Sequence, residues 1–204
     1  MYLGYRQVLI GFGKFIAFSA FIAALFGIIW CDITFWKHPL TERSATELMQ
    51  EILIGCSALM FWILALQYSS RRGLFILVAG FFSVMLIREL DSFFNLISDG
   101  FWLYPALALT GISVIGAFSC KKTVIQPLAD FMANRHYQTI SHGLIILLVF
   151  SRLFGMDLLW QTLLGDDYRR IVKDLVEEGV ELLGYGFIFI GSLNYFITKY
   201  RANH

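Results

Sequence analysis

The sequence predicts an all-α integral membrane protein, a six-span transmembrane helical bundle with both termini in the cytoplasm. Of its 204 residues, 58% are hydrophobic and only 15% are charged, whereas about a quarter of the residues in soluble domains are charged. A globule of this size cannot bury so much apolar surface, so we expect lipid to be the solvent. The formal net charge of +1 gives no sign of nucleic-acid binding.

Six apolar runs are long enough to be spans, since about 20 residues cross the hydrocarbon core of a bilayer. They cover approximately residues 8–30, 48–68, 74–97, 101–119, 143–160 and 176–197, and together they form a single transmembrane domain over 1–204. Polar residues and glycines separate the runs. Arg71, Arg72 and Gly73 follow the second run, and Asp99 and Gly100 follow the third.

The orientation follows from the loop charges, because cytoplasmic loops carry an excess of lysine and arginine. With the N-terminus inside, nine such residues lie on the inner side and five on the outer side. The inner residues are Arg6, Lys14, Arg71, Arg72, Lys121, Lys122, Arg135, Lys199 and Arg201, and the outer residues are Lys37, Arg43, Arg169, Arg170 and Lys173. The outer interface would then hold Trp30, Trp36, Trp102 and Trp160. We therefore expect a multi-pass protein of a bacterial inner (plasma) membrane.

The start of the last span carries the strongest chemical signal. Glu177, Glu178 and Glu181 lie there, with Tyr185 one turn further on. At about 100° per residue, these side chains share one broad face of a helix. A helix that enters a membrane with so much negative charge needs partners for it, such as protons, arginines, a metal ion or water.

The third span carries charges that match this signal. Arg88, Asp91 and Asn95 form one stripe along a helix, while Glu89 points about 100° away from Arg88 and needs a different neighbour. A charge at the centre of a membrane helix costs about 2.5–3.5 kcal/mol, so these groups cannot all face lipid. We expect an outward-facing pocket lined by Glu51, Arg88, Glu89, Asp91, Asn95, Arg152, Glu177, Glu178, Glu181 and Tyr185.

The charges in this pocket do not balance, because two deep arginines face six carboxylates. Some carboxylates must be protonated, solvated or bound to a cation. Oxygen-only ligands suit Mg²⁺, Ca²⁺ or Mn²⁺, and Glu178, Glu181 and Asp91 are the candidate metal ligands. His142, towards the cytoplasmic end of the fifth span, is the candidate proton relay.

These features favour a small proton or divalent-cation transporter or channel. Two alternatives stay open at this point. One is an intramembrane, lipid-active hydrolase that uses paired carboxylates, and the other is a non-catalytic membrane subunit whose salt bridges are structural. Besides the lipid bilayer, the expected partner is a second copy of the chain or another membrane subunit.

Glu177 and Glu178 resemble the glutamate pair of the CaaX-type intramembrane proteases. The motif of that family continues as Glu-Glu-x-x-x-Arg and is followed by two helices that bear histidines. Here Leu182 occupies the arginine position, and His204 is the only histidine that follows. The resemblance ends at two residues, and we do not infer membership of the family.

Overall fold

The structure, a computed structural model, describes residues 2–35 and 44–201. These residues form helices and turns without any strand. The α-helices are α1 (Tyr2–Phe35), α2 (Ala45–Gln67), α3 (Arg72–Glu89), α4 (Asp91–Phe94), α5 (Leu103–Ser119), α6 (Ile125–Met132), α7 (Arg135–Ile145), α8 (Ser151–Phe154), α9 (Asp157–Leu164) and α10 (Arg170–Arg201). A π-helical segment, Ile146–Phe150, joins α7 to α8.

Five segments of the described chain are long and apolar enough to cross a membrane. They are Gly4–Thr34, Ala45–Gln67, Ser69–Glu89, Arg135–Phe154 and Arg170–Arg201. The remaining predicted span corresponds to α5, which has 17 residues and is bent by 94° from the segment Lys121–Met132. The all-helical prediction is confirmed, and five or six helices of this kind are compatible with an integral membrane protein.

The predicted third span, 74–97, is wrong at its end. α3 stops at Glu89 because the backbone at Leu90 leaves helical geometry, with φ −81° and ψ 18°, and the chain continues into the short α4. The apolar run does not stop there, since Phe93, Leu96 and Ile97 follow and are exposed. Hydropathy therefore placed the end of this helix too late.

The predicted fifth span, 143–160, is displaced along the chain. α7 already begins at Arg135, where the Asn134 side chain accepts a hydrogen bond from the backbone N–H of His136 at 2.9 Å. Such a cap supplies a partner for a free N–H group in the first turn. The helix then runs through the π-helical segment to Phe154, and Gly155 and Met156 separate it from α9. An interpretation based on apolar runs missed the polar first turns of α7.

α10 is the central helix of the bundle. It packs against α2, against α7 and α8, and against α1, while α3 packs on α2 and α5 packs on α3. α2 and α10 run parallel, because Gln50 contacts Glu178 near their starts and the Tyr68 hydroxyl donates to the carbonyl of Lys199 at 2.6 Å near their ends. The polar starts of both helices therefore lie at the same end of the bundle.

An aromatic cluster fills the opposite end of the α2–α10 contact. Phe61 stacks on Tyr195 with 5.8 Å between ring centroids, and Phe131 meets Tyr195 edge-on at 4.9 Å. Phe75 and Phe82 complete this buried cluster. Aromatic pairs of this geometry stabilise a core beyond their burial alone, and here they join α2, α3, α6 and α10.

Glycines let α7 and α10 approach each other backbone to backbone. A Cβ atom added to Gly143 would lie 2.6 Å from the carbonyl oxygen of Gly184 and 2.9 Å from the backbone nitrogen of Ile188. A Cβ atom added to Gly191 would lie 3.0 Å from the backbone nitrogen of Ile140. Small residues permit such close packing between membrane helices, so α7 holds a tight contact with α10 over two turns.

We expect Gly143→Ala to destabilise the protein by about 1–3 kcal/mol, because the new methyl group would overlap fixed backbone atoms of α10. Gly111→Ala on α5 is the matched control, since no atom lies within 4 Å of a Cβ added there and alanine is the better helix former. Unfolding of the purified protein in mixed detergent micelles measures both effects. Equal stability of the two variants would contradict the close contact.

Candidate functional site

Polar side chains from four helices meet where the starts of α2 and α10 lie beside the end of α3 and α8. We call this group the acid–arginine network. It consists of Gln50, Arg88, Glu89, Ser151, Arg152, Lys173, Glu177, Glu178, Glu181 and Tyr185. Its members sit on faces of the helices that pack on α10, so the network links α10 to the rest of the bundle.

Glu181 is the most connected carboxylate of the network. It is 5% exposed, and its Oε1 accepts hydrogen bonds from Ser151 Oγ at 2.6 Å and from Arg152 Nη2 at 2.9 Å. Nη2 of Arg88 lies 4.0 Å from the same oxygen. The buried carboxylate of Glu181 therefore contacts side chains of α8 and α3. These contacts supply the pairing that a buried charge requires.

Glu89 forms the second centre of the network, at the end of α3. Its Oε1 accepts a hydrogen bond from the Tyr185 hydroxyl at 2.7 Å and bonds from Arg88 at 2.9 Å and 3.2 Å. Tyr185 is 1% exposed, so this contact supplies the partner that a buried phenol needs. Glu89 has the predicted neighbour other than Arg88, namely Tyr185. The prediction is incomplete, because the long side chain of Arg88 also contacts Glu89.

Glu177 occupies a basic corner between α10 and α8. Its carboxylate lies 3.2 Å from Nζ of Lys173 and 4.0 Å from Nη1 of Arg152. A Cβ atom added to Gly155 would overlap this carboxylate. The glycine after α8 therefore leaves the room that the Glu177 side chain fills.

Glu178 differs from the other three glutamates in its partner. Nε2 of Gln50 donates to Glu178 Oε2 at 2.9 Å and to the backbone carbonyl of Glu178 at 3.1 Å. Gln50 is 1% exposed, and its amide carries no charge. Among the described residues, no lysine or arginine nitrogen lies within 4.0 Å of this carboxylate.

Glu177 and Glu178 therefore face different neighbours. Glu177 contacts groups of α8 and α10, whereas Glu178 contacts α2. Adjacent residues of a helix point about 100° apart, which explains the separation. Glu177 and Glu178 thus share no hydrogen-bond or ion-pair partner among the described residues.

Two predicted pocket residues lie outside the network. Asp91 and Asn95 are exposed, and Asn95 Oδ1 accepts a hydrogen bond from the backbone N–H of Gly100 at 2.9 Å. The predicted stripe through Arg88 required a continuous helix, and α3 ends before Asp91. This part of the predicted pocket is wrong for that reason.

The predicted metal site is not assembled among the described residues. No group of three histidine, cysteine, aspartate or glutamate side chains in the described ranges is arranged to hold a metal ion. Of the predicted ligands, Asp91 is exposed beyond the end of α3, and Glu181 is held by Ser151 and Arg152. Glu178 is held by the neutral amide of Gln50.

Glu51 and His142 have no contact with the network either. Glu51 is half-buried and makes no hydrogen bond or ion pair with a described residue. His142 lies on α7, about 13 Å along the helix axis from Ser151 at 1.5 Å per residue. The close contact of Gly143 with Gly184 lies between them, and His142 forms no hydrogen bond or ion pair with a described residue of the network.

Three network residues were not predicted as members. Gln50 and Ser151 are uncharged, and a search for charges in apolar spans passes over them. The feature of the sequence that points to them is their position, because Gln50 lies next to Glu51 and Ser151 lies next to Arg152, both of which are predicted pocket residues. Lys173 was assigned to an outer loop, but its side chain is 9% exposed and is paired with Glu177 and Asp174.

Comparison of the chain with protein-family models, with curated proteins and with solved structures finds no significant match.

A separate polar contact secures the loop before α10, outside the spans. The Tyr168 hydroxyl donates a hydrogen bond to Asp157 Oδ1 at 2.6 Å. This bond holds the pKa of Asp157 below its usual value and raises the pKa of Tyr168. Because the folded pKa of Asp157 is lowered, its contribution to stability is present above the unfolded pKa and is lost as the pH falls through the folded pKa.

We expect Tyr168→Phe to raise the pKa of Asp157 towards the value of a free aspartate, because the substitution removes the hydroxyl donor that lowers it most. An NMR titration of the labelled carboxyl carbon measures the change. Tyr104→Phe is the matched control, since Tyr104 is an exposed tyrosine of α5. An unchanged Asp157 titration in Tyr168→Phe would show that the contact does not form.

We expect Glu181→Gln to lower the free energy of unfolding by about 2 kcal/mol, because glutamine keeps an acceptor oxygen but removes the negative charge that pairs with Arg152 and Arg88. This is below the usual 3–5 kcal/mol for breaking a buried pair, since the Arg152 side chain is 49% exposed. Asp91→Asn is the matched control and should stay within about 0.5 kcal/mol of wild type. If both variants unfold at the same denaturant concentration, the network does not stabilise the fold.

Proposed function

We propose that this protein moves protons across the membrane, as a proton channel or a proton-coupled transporter, and that Glu178 takes up and releases the proton. One observation carries the proposal. The partner of Glu178 is the neutral amide of Gln50, whereas Glu89, Glu177 and Glu181 each lie within ion-pair distance of an arginine or lysine.

The cost of burying a charge explains why this difference matters. A carboxylate paired with a guanidinium keeps its charge, because the pair offsets the lost solvation. A carboxylate in the same environment without a cation is stabilised by accepting a proton. Glu178 is therefore the member of the network that we assign as the proton carrier, because no described lysine or arginine lies beside its charge.

Gln50 suits both states of Glu178. Its –NH₂ group donates to the ionised carboxylate, as seen at 2.9 Å. Its carbonyl oxygen can accept a hydrogen bond from the protonated carboxyl group after the amide turns over. A buried glutamine thus provides a partner before and after proton uptake, which a fixed lysine or arginine does not.

A proton fits this site better than a divalent cation. A hard metal ion needs several free oxygen ligands, and the Glu181 and Glu177 carboxylates are already bound by basic side chains. Protons need only one acceptor and a route to water. The half-exposed side chains of Arg88 and Arg152 bring the network to the surface of the bundle, where we place the start of such a route.

The helix directions support a six-span topology with both termini in the cytoplasm of a bacterial inner membrane. α2 and α10 are parallel, and α7–α8 is antiparallel to α10, since Ile140 lies by Gly191 and Ser151 by Glu181. α3 is followed by the antiparallel α5, whose Ser113 lies by Gly80. A return of α5 across the membrane fits this alternation. The predicted outer residues Trp36, Lys37 and Arg43 lie outside the described residues.

A structural role for the network is the second candidate function. It is favoured by the pairing of both deep arginines, Arg88 with Glu89 and Arg152 with Glu181, each at 2.9 Å. Paired polar groups of this kind hold membrane helices together without any transport. The protein would then be a non-catalytic subunit of a membrane assembly.

We expect purified protein in liposomes to carry protons down an imposed membrane potential, read by a pH-sensitive dye inside the vesicles. Glu178→Gln should reduce the flux to the level of protein-free liposomes, because glutamine cannot take up the proton. Glu51→Gln is the matched control, since it removes a carboxylate at the same end of α2 that has no hydrogen bond to a described residue. It should keep the flux of wild type.

Infrared difference spectra recorded across a pH change identify the residue that takes up the proton. The carbonyl band of a protonated carboxylic acid should appear in wild type and in Glu51→Gln, and should be absent from Glu178→Gln. Loss of the band in Glu51→Gln instead would show that the wrong carboxylate is assigned. A wild-type flux equal to that of protein-free liposomes would contradict proton transport and leave the structural role.

A further inference from the structure

A cavity of about 650 Å³ lies at the other end of the α7–α10 contact, away from the acid–arginine network. Its walls come from α1, α7 and α10, and both α1 and α7 pack on α10. The volume is in the range of pockets that hold small molecules, about 300–1,000 Å³. Neither the proton-transfer proposal nor the network uses this cavity.

The polar wall of the cavity is basic. Lys14 of α1, Arg135 of α7 and Arg201 of α10 all line it, and His136 and His142 of α7 lie beside them. No aspartate or glutamate is among the described residues that line it. Three helices thus each bring a fixed positive charge to one space, a convergence that sequence order does not reveal.

These three cations have no counter-charge within the described protein. None of Lys14, Arg135 and Arg201 forms an ion pair with a described carboxylate, whereas the cations of the acid–arginine network all do. Like charges around a common space repel, and an anion between them removes that repulsion. The charge pattern of the cavity therefore calls for an anionic ligand.

The remaining lining residues define the ligand further. Thr139 and Thr198 offer hydroxyl groups, and Thr198 Oγ1 already lies 3.3 Å from Nε2 of His136. Phe18, Phe187 and Ile190 form an apolar wall. Arginine, lysine and hydroxyl donors together suit the oxygens of a phosphate group, while the aromatic wall suits an attached hydrocarbon chain.

We propose that this cavity binds a phosphate group carried by an amphiphile, namely the headgroup of an anionic phospholipid. Lys14, Arg135 and Arg201 hold the phosphate, and the acyl chain lies against Phe18 and Phe187. Basic pockets between membrane helices on the cytoplasmic side bind lipid headgroups of this kind. All three basic residues belong to the side that the loop charges predict to be cytoplasmic.

Short-chain phosphatidylglycerol titrated into the purified protein in detergent tests the proposal, with the thermal midpoint giving the dissociation constant. Phosphatidylcholine and inorganic phosphate are titrated in parallel. At about fivefold per basic residue, the variant Lys14→Gln/Arg135→Gln should bind phosphatidylglycerol about 30-fold more weakly. Lys14→Arg should bind like wild type, because it keeps the charge.

Lys121→Gln/Lys122→Gln is the matched control, since it removes two exposed lysines of the same predicted side that do not line the cavity. It should bind phosphatidylglycerol as tightly as wild type. All three basic lining residues that hold the phosphate are exposed, so the test variants should fold like wild type.

Comparison of phosphatidylglycerol, phosphatidylcholine and inorganic phosphate distinguishes the possible outcomes. Stabilisation by phosphatidylglycerol alone, lost in the cavity variant, identifies a lipid headgroup site. If inorganic phosphate also stabilises the protein, and Lys14→Gln/Arg135→Gln loses this effect too, the phosphate site is supported. The site then also binds free phosphate compounds. Equal effects of the two lipids, or equal binding by the cavity variant and its control, would overturn the proposal.

Discussion

Lipid cannot solvate the ionised groups of α10, and the arrangement of the other helices follows from that constraint. Within one helix the chain carries Lys173, Glu177, Glu178 and Glu181, the last of which is almost fully buried. Partners for these groups come from α2, α3 and α8. The observed arrangement satisfies these contacts together, with α10 at the centre and polar side chains of its neighbours turned towards it.

The same helix carries a second polar region of opposite charge. The acid–arginine network and the basic cavity lie at opposite ends of the contact between α7–α8 and α10. Between them the helices meet at Gly143 and Gly184, with the buried side chains Leu147 and Ile188 beside the contact. A tightly packed section with apolar side chains therefore lies between the two regions.

Much of the fold could be predicted from the sequence, because a membrane span needs a long apolar run whatever its tertiary contacts are. The ends of the spans could not be predicted in the same way. α3 ends by a change of backbone angles at Leu90 although Phe93, Leu96 and Ile97 follow, and α7 begins in polar residues that Asn134 caps. The ends of an apolar run therefore do not mark the ends of these helices.

The residues of the candidate site also fall into those that could be predicted from the sequence and those that could not. Arg88, Glu89, Arg152, Glu177, Glu178, Glu181 and Tyr185 stand out in the sequence because charge is rare in apolar helices, and the structure brings them together. Gln50 and Ser151 do not stand out, since their role depends on which helix lies opposite. Asp91 was included only because α3 was expected to continue. Pairing between helices is tertiary information, and a single sequence carries it weakly.

The central claim is that basic side chains from other helices hold the carboxylates of α10 in place. A double-mutant cycle on Arg152→Gln and Glu181→Gln tests it most directly, with unfolding free energies measured in mixed micelles. A direct contact at 2.9 Å predicts a coupling energy of about 1–3 kcal/mol between the two substitutions. Effects that add to within about 0.5 kcal/mol would show that the two side chains do not interact, and the account of the bundle would be wrong.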